Sequence, residues 1–132
     1  MIERKYNGVV SCVSLPVQIS NTLDSRNIYT AQAIVDTGAT EICISEDIAE
    51  RLSIESTGVI SMKTANGIPK AAKCLIDIKI DGEEFRHLNA VILPNISTEM
   101  LLGMNLLKLG DMSIKTSSGI TEFQFEKNGQ IM

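Results

Sequence analysis

Apolar and polar residues alternate along most of this chain, in short runs separated by turn-forming residues. Residues 9–20 carry Val9, Val13, Leu15, Val17 and Ile19 in near alternation, which is the period of a strand with one buried face. Pro16 places part of that strand at a sheet edge or bulge. The polar stretch 21–27 reads as a hairpin connection, and the chain returns along residues 29–35. Two apolar triplets, Ala33-Ile34-Val35 and Ile42-Cys43-Ile44, predict short buried strands. Residues 59–63 begin another strand. Over residues 71–80, Cys74, Ile76, Ile78 and Ile80 alternate with Lys73, Leu75, Asp77 and Lys79, so one face is apolar. Asn66-Gly67 before this strand and Asp81-Gly82 after it are hairpin turns, the second leading into residues 85–93. Met100, Leu101 and Leu102 form an apolar strand broken by Gly103, and residues 112–115 and 121–125 predict two more strands around Ser117-Ser118-Gly119.

The period changes in two places. Ser45 can cap a short helix with Glu46 and Asp47 in its first turn, where the helix end is positive, and Ile48, Ala49 and Leu52 on its apolar side. A second short helix follows Gly103 and runs through Leu109, with Gly110 as its stop. Many short strands joined by tight turns predict an all-β fold with one or two short helices and argue against a βαβ arrangement. The polar tail, 126–132, is expected to fray.

Composition narrows the picture. A chain of 132 residues with 44% hydrophobic residues predicts one domain over residues 1–132, with its core at about 9–125. The net charge of −4 with no basic block argues against nucleic acid as a partner. No apolar run of about eighteen residues encodes a membrane span, and the charged start Met1-Ile2-Glu3-Arg4-Lys5 gives no support to secretion. Cys12, Cys43 and Cys74 are odd in number and lack a C-x-x-C spacing. They read as buried thiols in a reducing compartment, which implies a cytoplasmic location. His87, the single histidine, is far from each of them in sequence, so no metal site is expected.

Chemistry concentrates in residues 33–45, AIVDTGATEICIS, which set Asp36 in a turn of small and hydroxylated residues between two apolar runs. Gly38 allows close approach of the backbone, and the hydroxyls of Thr37 and Thr40 can hydrogen-bond to backbone or to the carboxylate. By itself the tripeptide Asp36-Thr37-Gly38 also fits an ordinary Asx turn. The Asn66-Gly67 hairpin is likewise, on local grounds, a turn and nothing more. Residues 99–107, EMLLGMNLL, read locally as a strand, a break and a helix.

Together, and in this order, the apolar-apolar-Asp-Thr-Gly-Ala-Thr frame and the LLGMNLL segment resemble the aspartic peptidases, specifically the single-lobed retropepsin-like branch of bacteria and retroelements. The resemblance extends from about Val13 to Phe125. It implies a retropepsin-like acid protease fold with Asp36 as the catalytic carboxylate and Thr37, Gly38, Ala39 and Thr40 supporting its loop. Thr37 would interlock with a partner's loop, and Thr40 would bond the outer carboxylate oxygen. Leu101, Leu102 and Gly103 would form the strand that passes behind the loop, and Thr64, Ala65, Asn66, Gly67 and Ile68 a flap over an extended peptide substrate. Two departures stand out. The flap has Gly67 followed by Pro69 in place of several glycines, and Met104-Asn105 follows Gly103 where cellular and bacterial relatives commonly carry Met-Asp.

The family's chemistry needs two carboxylates that share a proton, and the sequence holds one Asp-Thr-Gly. A homodimer that cleaves peptide bonds without a cofactor follows from the resemblance. A non-catalytic peptide-binding or dimerisation module on the same fold is the alternative.

Overall fold

The computed structural model describes residues 1–61, 70–94 and 96–128. In chain order these form β1 (Ile2–Asn7), β2 (Ser14–Asn21), β3 (Asp24–Val35), β4 (Ile42–Ser45), α1 (Glu46–Arg51), β5 (Gly58–Ser61) and β6 (Lys70–Ile80). There follow β7 (Glu83–Leu93), β8 (Met100–Leu102), α2 (Met104–Leu107), β9 (Gly110–Ser117) and β10 (Ile120–Lys127). The protein is mostly β with two short helices, as the alternation predicts.

The larger sheet runs β2-β3-β8-β4-β7-β6-β5 and closes on itself because β2 also pairs with β6. One edge of β6 serves two neighbours: Lys70 to Lys73 pair with β5, and Ile76 to Lys79 pair with β2. Closure wraps an aliphatic core in which Val17, Ile19, Ile42, Ile44, Ile76 and Met100 are fully buried. Each such side chain contributes about 1.5–3 kcal/mol relative to exposure. Pro16 is exposed and precedes the β2 residues that meet β6, so β2 is an edge there, as a residue without an N–H requires.

Turn chemistry fixes the hairpins. Asp81 and Gly82, both with positive φ, join β6 to β7, and Ser118 and Gly119, also both positive, join β9 to β10. The β2–β3 connection is tighter than the polar run suggests, since β3 already begins at Asp24. Ser45 caps α1 by accepting the Ile48 N–H at 3.3 Å. Asp77 sits on the polar side of the β6 alternation yet is buried. It lies at a register shift between Ile76 and Ile78, where its carboxylate accepts the N–H of His87 at 2.8 Å. Buried polar groups persist where they are paired in this way.

The smaller sheet is ordered β1-β10-β9. Strand β1 is not visible in the sequence pattern, because its inward residues are Ile2, Arg4 and Tyr6. Arg4 forks onto Asp81 with Nη–Oδ distances of 2.6 and 2.8 Å, and the Tyr6 hydroxyl donates to the Ser14 carbonyl at 2.5 Å. Thr121, almost fully buried, ties down the chain after β1: its hydroxyl donates to the Gly8 carbonyl at 2.9 Å and accepts the Val10 N–H at 3.3 Å.

Three expectations are corrected. Cys12 is exposed in the bend between β1 and β2, whereas Cys43 and Cys74 are buried as expected. Gly110 opens β9 and does not end the helix, which stops at Leu107; a Cβ on Gly110 would lie 2.3 Å from the Glu126 carbonyl oxygen. Glu126 and Lys127 belong to β10, and the Asn128 N–H donates to the Leu109 carbonyl at 2.9 Å, so this part of the tail is held. The Asn66-Gly67 turn and the expected flap, 64–68, lie outside the described residues; the flanking strands pair antiparallel with Ser61 opposite Lys70. No helix among the described residues is long and apolar enough to cross a membrane.

Candidate active site

Strands β3 and β4 are not neighbours. Strand β8 runs between them, parallel to β3 with Val35 beside Leu102, and antiparallel to β4 with Cys43 beside Leu101. The loop that joins β3 to β4, residues 36–41, therefore crosses the end of β8. The chain must leave β8 underneath it. That crossing explains Gly103: a Cβ there would lie 2.4 Å from the carbonyl oxygen and 2.5 Å from the carbonyl carbon of Glu41, closer than any real side chain comes.

Several backbone groups of the loop are hydrogen-bonded. The Asp36 N–H donates to the Leu102 carbonyl at 3.0 Å, and the Ala39 N–H closes a turn onto the Asp36 carbonyl at 3.2 Å. Below the loop, the N–H groups of Met104 and Asn105 donate to the carbonyls of Ala39 and Thr40 at 2.8 and 3.1 Å. The loop is thus stitched to both ends of Gly103. The Asp36 side chain, half-buried, accepts the Gly38 N–H on Oδ1 at 2.9 Å. A Cβ on Gly38 would lie 3.2 Å from that oxygen, so glycine leaves the carboxylate room on this side. Thr40 enters through its carbonyl, while Thr37 is exposed at the turn.

Asn105, noted in the sequence only as a departure from the usual aspartate, is a clamp. Its Oδ1 accepts the Ile42 N–H at 2.8 Å and its Nδ2 donates to the Asn89 carbonyl at 2.7 Å. One side chain thereby ties the start of β4 to β7. The opposite end of β8 is held by Glu99, which accepts the Gln32 N–H at 2.8 Å and the Tyr29 hydroxyl. These two bonds hold the Glu99 carboxyl below the usual carboxylate range, the tyrosine bond contributing most.

Two further groups lie at the site: Glu41, which the sequence did not single out, and Cys43, read there only as a buried thiol. Glu41 has one buried carboxylate oxygen, Oε2, without a hydrogen-bond partner among the described residues. Behind the loop, Cys43 is buried with Ala71 and Val91, and its thiol is pushed up by burial and then by the nearby Asp36 and Glu41 carboxylates. A neutral thiol in that place adds no charge to the site. Neither residue has a spacing that would have singled it out. Of the expected site residues, Asp36, Thr37, Gly38, Ala39, Thr40, Leu101, Leu102 and Gly103 converge on one crossing; the other five, 64–68, are outside the described residues. The result is one oriented carboxylate, enough for one acid or one base.

Similarity to solved structures defines the class. The crystal structure of a retropepsin-like aspartic protease from Rickettsia conorii matches with a TM-score of 0.65 at 22% identity, over 92% of this chain and 89% of that one. EIAV protease complexed with the inhibitor HBY-793 matches with a TM-score of 0.61 at 18% identity, over 78% and 90%. The retroviral protease-like domain of Ddi1 from Leishmania major gives 0.57 at 17% identity, over 93% and 100%. The fold is the retropepsin-like acid protease fold. Residues 25–109 match the family described as "gag-polyprotein putative aspartyl protease", and the chain belongs to that family of aspartic proteases. No match was found among curated protein sequences.

Proposed function

We propose that this chain is the subunit of a homodimeric aspartic endopeptidase in which Asp36 from each of two copies forms the catalytic pair. The observation that carries the proposal is a single carboxylate held on a loop that crosses the end of β8 and is hydrogen-bonded to it, in a family whose chemistry needs two. Two carboxylates about 3 Å apart cannot both ionise, so one stays protonated and one charged. The charged member takes a proton from a water placed between them as that water attacks the peptide carbonyl. The protonated member hydrogen-bonds the carbonyl oxygen as charge develops there. Proton transfer to the amide nitrogen then releases the amine. In this reading Thr37, which is exposed, bonds the second copy's loop.

The substrate in this reading is an extended peptide bound through its backbone, with Thr64, Ala65, Asn66, Gly67 and Ile68 assigned to contact it from above. Neither metal nor organic cofactor enters the chemistry. The whole chain acts as one domain, and the unpaired thiols of Cys43 and Cys74 suit a reducing cytoplasm.

The test is Asp36→Asn. The amide still accepts the Gly38 N–H but cannot share a proton, so cleavage of a peptide library should vanish while sedimentation and thermal unfolding stay at wild-type values. Excess variant subunits mixed into wild type should also poison activity, since a mixed dimer holds one carboxylate. Saturable peptide binding by the wild type without turnover would favour a binding module instead.

A further inference from the structure

The larger sheet carries a cavity of about 80 Å³ whose lining includes Gln18, Ser20, Ile28, Asp77, Glu84 and Arg86 and none of residues 36–41. Three of these residues form a row across the sheet. Ser20 of β2 pairs with Ile28 of β3 on one side and with Asp77 of β6 on the other, and cross-strand partners share a face. That face is the outer one, since Ile76 and Ile78 on either side of Asp77 point into the core. Beside Asp77, strand β7 bulges. The register jumps from Ile76 beside Leu88 to Ile78 beside Phe85, so Arg86 and His87 together oppose Asp77, and His87 has a φ of 54°. Bulges re-aim side chains and gather near functional sites.

Asp77 is 9% exposed. An aspartate so deeply placed is ordinarily paired, and here the pairing is half complete. Its Oδ1 accepts the His87 N–H at 2.8 Å, whereas Oδ2 accepts no hydrogen bond among the described residues. Two cations line the same cavity, yet neither is given to Asp77. Lys79 and Arg86 both reach Glu84, at 3.7 and 3.4 Å, and Asp77 forms no ion pair among the described residues. Glu84 occupies both of the chain's own cations, and the buried carboxylate is left without a counter-charge.

We propose that this cavity is a docking site for the ammonium group of a lysine side chain presented by another protein. Small-molecule sites run to about 300–1,000 Å³, so a space of about 80 Å³ admits the end of a side chain and not a whole cofactor or metabolite. One free carboxylate oxygen suits a point charge, whereas the arginine fork needs both oxygens. An ammonium has three protons to place. Asp77 Oδ2 takes one, and the Ser20 hydroxyl, on the same face, is a second acceptor. Ile28, 51% exposed at the other end of the row, offers apolar surface to the methylene stem. The charges lining the cavity, Asp77, Glu84, Lys79 and Arg86, cancel, so recognition comes from contact and not from long-range attraction.

The experiment follows backbone amide shifts of the full chain by NMR as Nα-acetyl-lysine methylamide, a lysine side chain without charged termini, is added. Saturable shifts are expected at Ser20, Asp77 and His87, with Gly38 and Ala39 unmoved. The same compound acetylated on Nε, which has lost its charge, should cause none, and the arginine analogue should bind more weakly. Asp77→Asn keeps the acceptor for His87 and removes the charge, so binding should weaken at least about tenfold, as for a lost hydrogen bond to a charged group. If that variant does not fold, Arg86→Met decides: taking a like charge from the rim should tighten lysine binding up to about fivefold.

No saturable shift at Ser20, Asp77 and His87 with millimolar ligand overturns the docking site, as do shifts confined to Gly38 and Ala39, which would put the amine at the catalytic loop. Equal binding of the Nε-acetylated compound, or weaker lysine binding by Arg86→Met, would show that the cavity does not recognise the ammonium. Spermidine carries the same group free in solution. Binding of spermidine much tighter than that of the blocked lysine would make a free polyamine the occupant and remove the docking role.

Discussion

Gly103 shows how one missing side chain positions the catalytic loop. Its neighbours are backbone atoms of Glu41, which cannot swing aside as a flexible side chain would, so Gly103→Ala must push the loop away from β8. An overpacking cost of roughly 1–3 kcal/mol is expected, with a fall in melting temperature and a larger fall in cleavage, because Asp36 shares the displaced loop. An unchanged melting temperature and unchanged cleavage would contradict the close crossing. The sequence makes this glycine conspicuous, since it interrupts an apolar run. It gives no such hint for Asn105, whose two bonds reach residues 63 and 16 positions away. Asn105→Asp keeps the acceptor for Ile42 but replaces the donor to Asn89 with a charged oxygen facing a carbonyl. That change should cost about 1–3 kcal/mol, read as a lower denaturation midpoint. Equal midpoints for the two proteins would show that the link to β7 contributes nothing.

At the level of elements, legibility followed how local the signal was. The turns at Asp81-Gly82 and Ser118-Gly119 and the cap at Ser45 are each decided within a few residues, and all three were readable. Strand β1 was not, because what makes it a strand lies at the far end of the chain: its register runs from Ile2 beside Phe125 to Asn7 beside Ile120. Arg4 and Lys5 pair with Asp81 and Glu122, partners that no alternation count detects. Anchoring of β8 is similar, since Glu99 is explained by Tyr29 and Gln32. This anchor is sensitive to pH. The Glu99 carboxyl is held below its ordinary value, so the folded state binds its proton more weakly than the unfolded state does. Its contribution is present above the ordinary glutamate range and is lost as the pH falls through the lowered value. Asp81, lowered by Arg4, acts with the same sign. Glu99→Gln should therefore melt below wild type near neutrality, and the gap should close as the solution is acidified. A gap that stays constant down to strongly acid solution would remove Glu99 from this role.

For the molecule as a whole, the chemistry proposed depends on an encounter between two chains. A subunit with one carboxylate is inert alone, so activity per chain should fall on dilution through the dimer dissociation constant. A self-contained enzyme would hold it constant. Thr37→Ala should move the curve to higher concentration, one lost hydrogen bond corresponding to about 0.5–1.5 kcal/mol. Activity that persists where sedimentation finds only monomer would mean that a second catalytic group lies within the chain. Sequence alone can count the acids; which strand edges the smaller sheet leaves open became visible only once β1 was found paired to β10.

That same pairing sets a schedule for synthesis. Of the described strands, β1 is made first and β10 last, yet β10 must lie between β1 and β9. During translation the closed larger sheet can assemble while β1 waits with Ile2 and Tyr6 uncovered. Only when Phe123 and Phe125 emerge from the ribosome can Ile2 be buried. Pairings this distant along the chain are slow to form, and unsatisfied strands are where newborn chains aggregate. A released fragment ending at Gly119 should therefore hold the closed larger sheet and an N-terminal strand still open to proteases and chaperones.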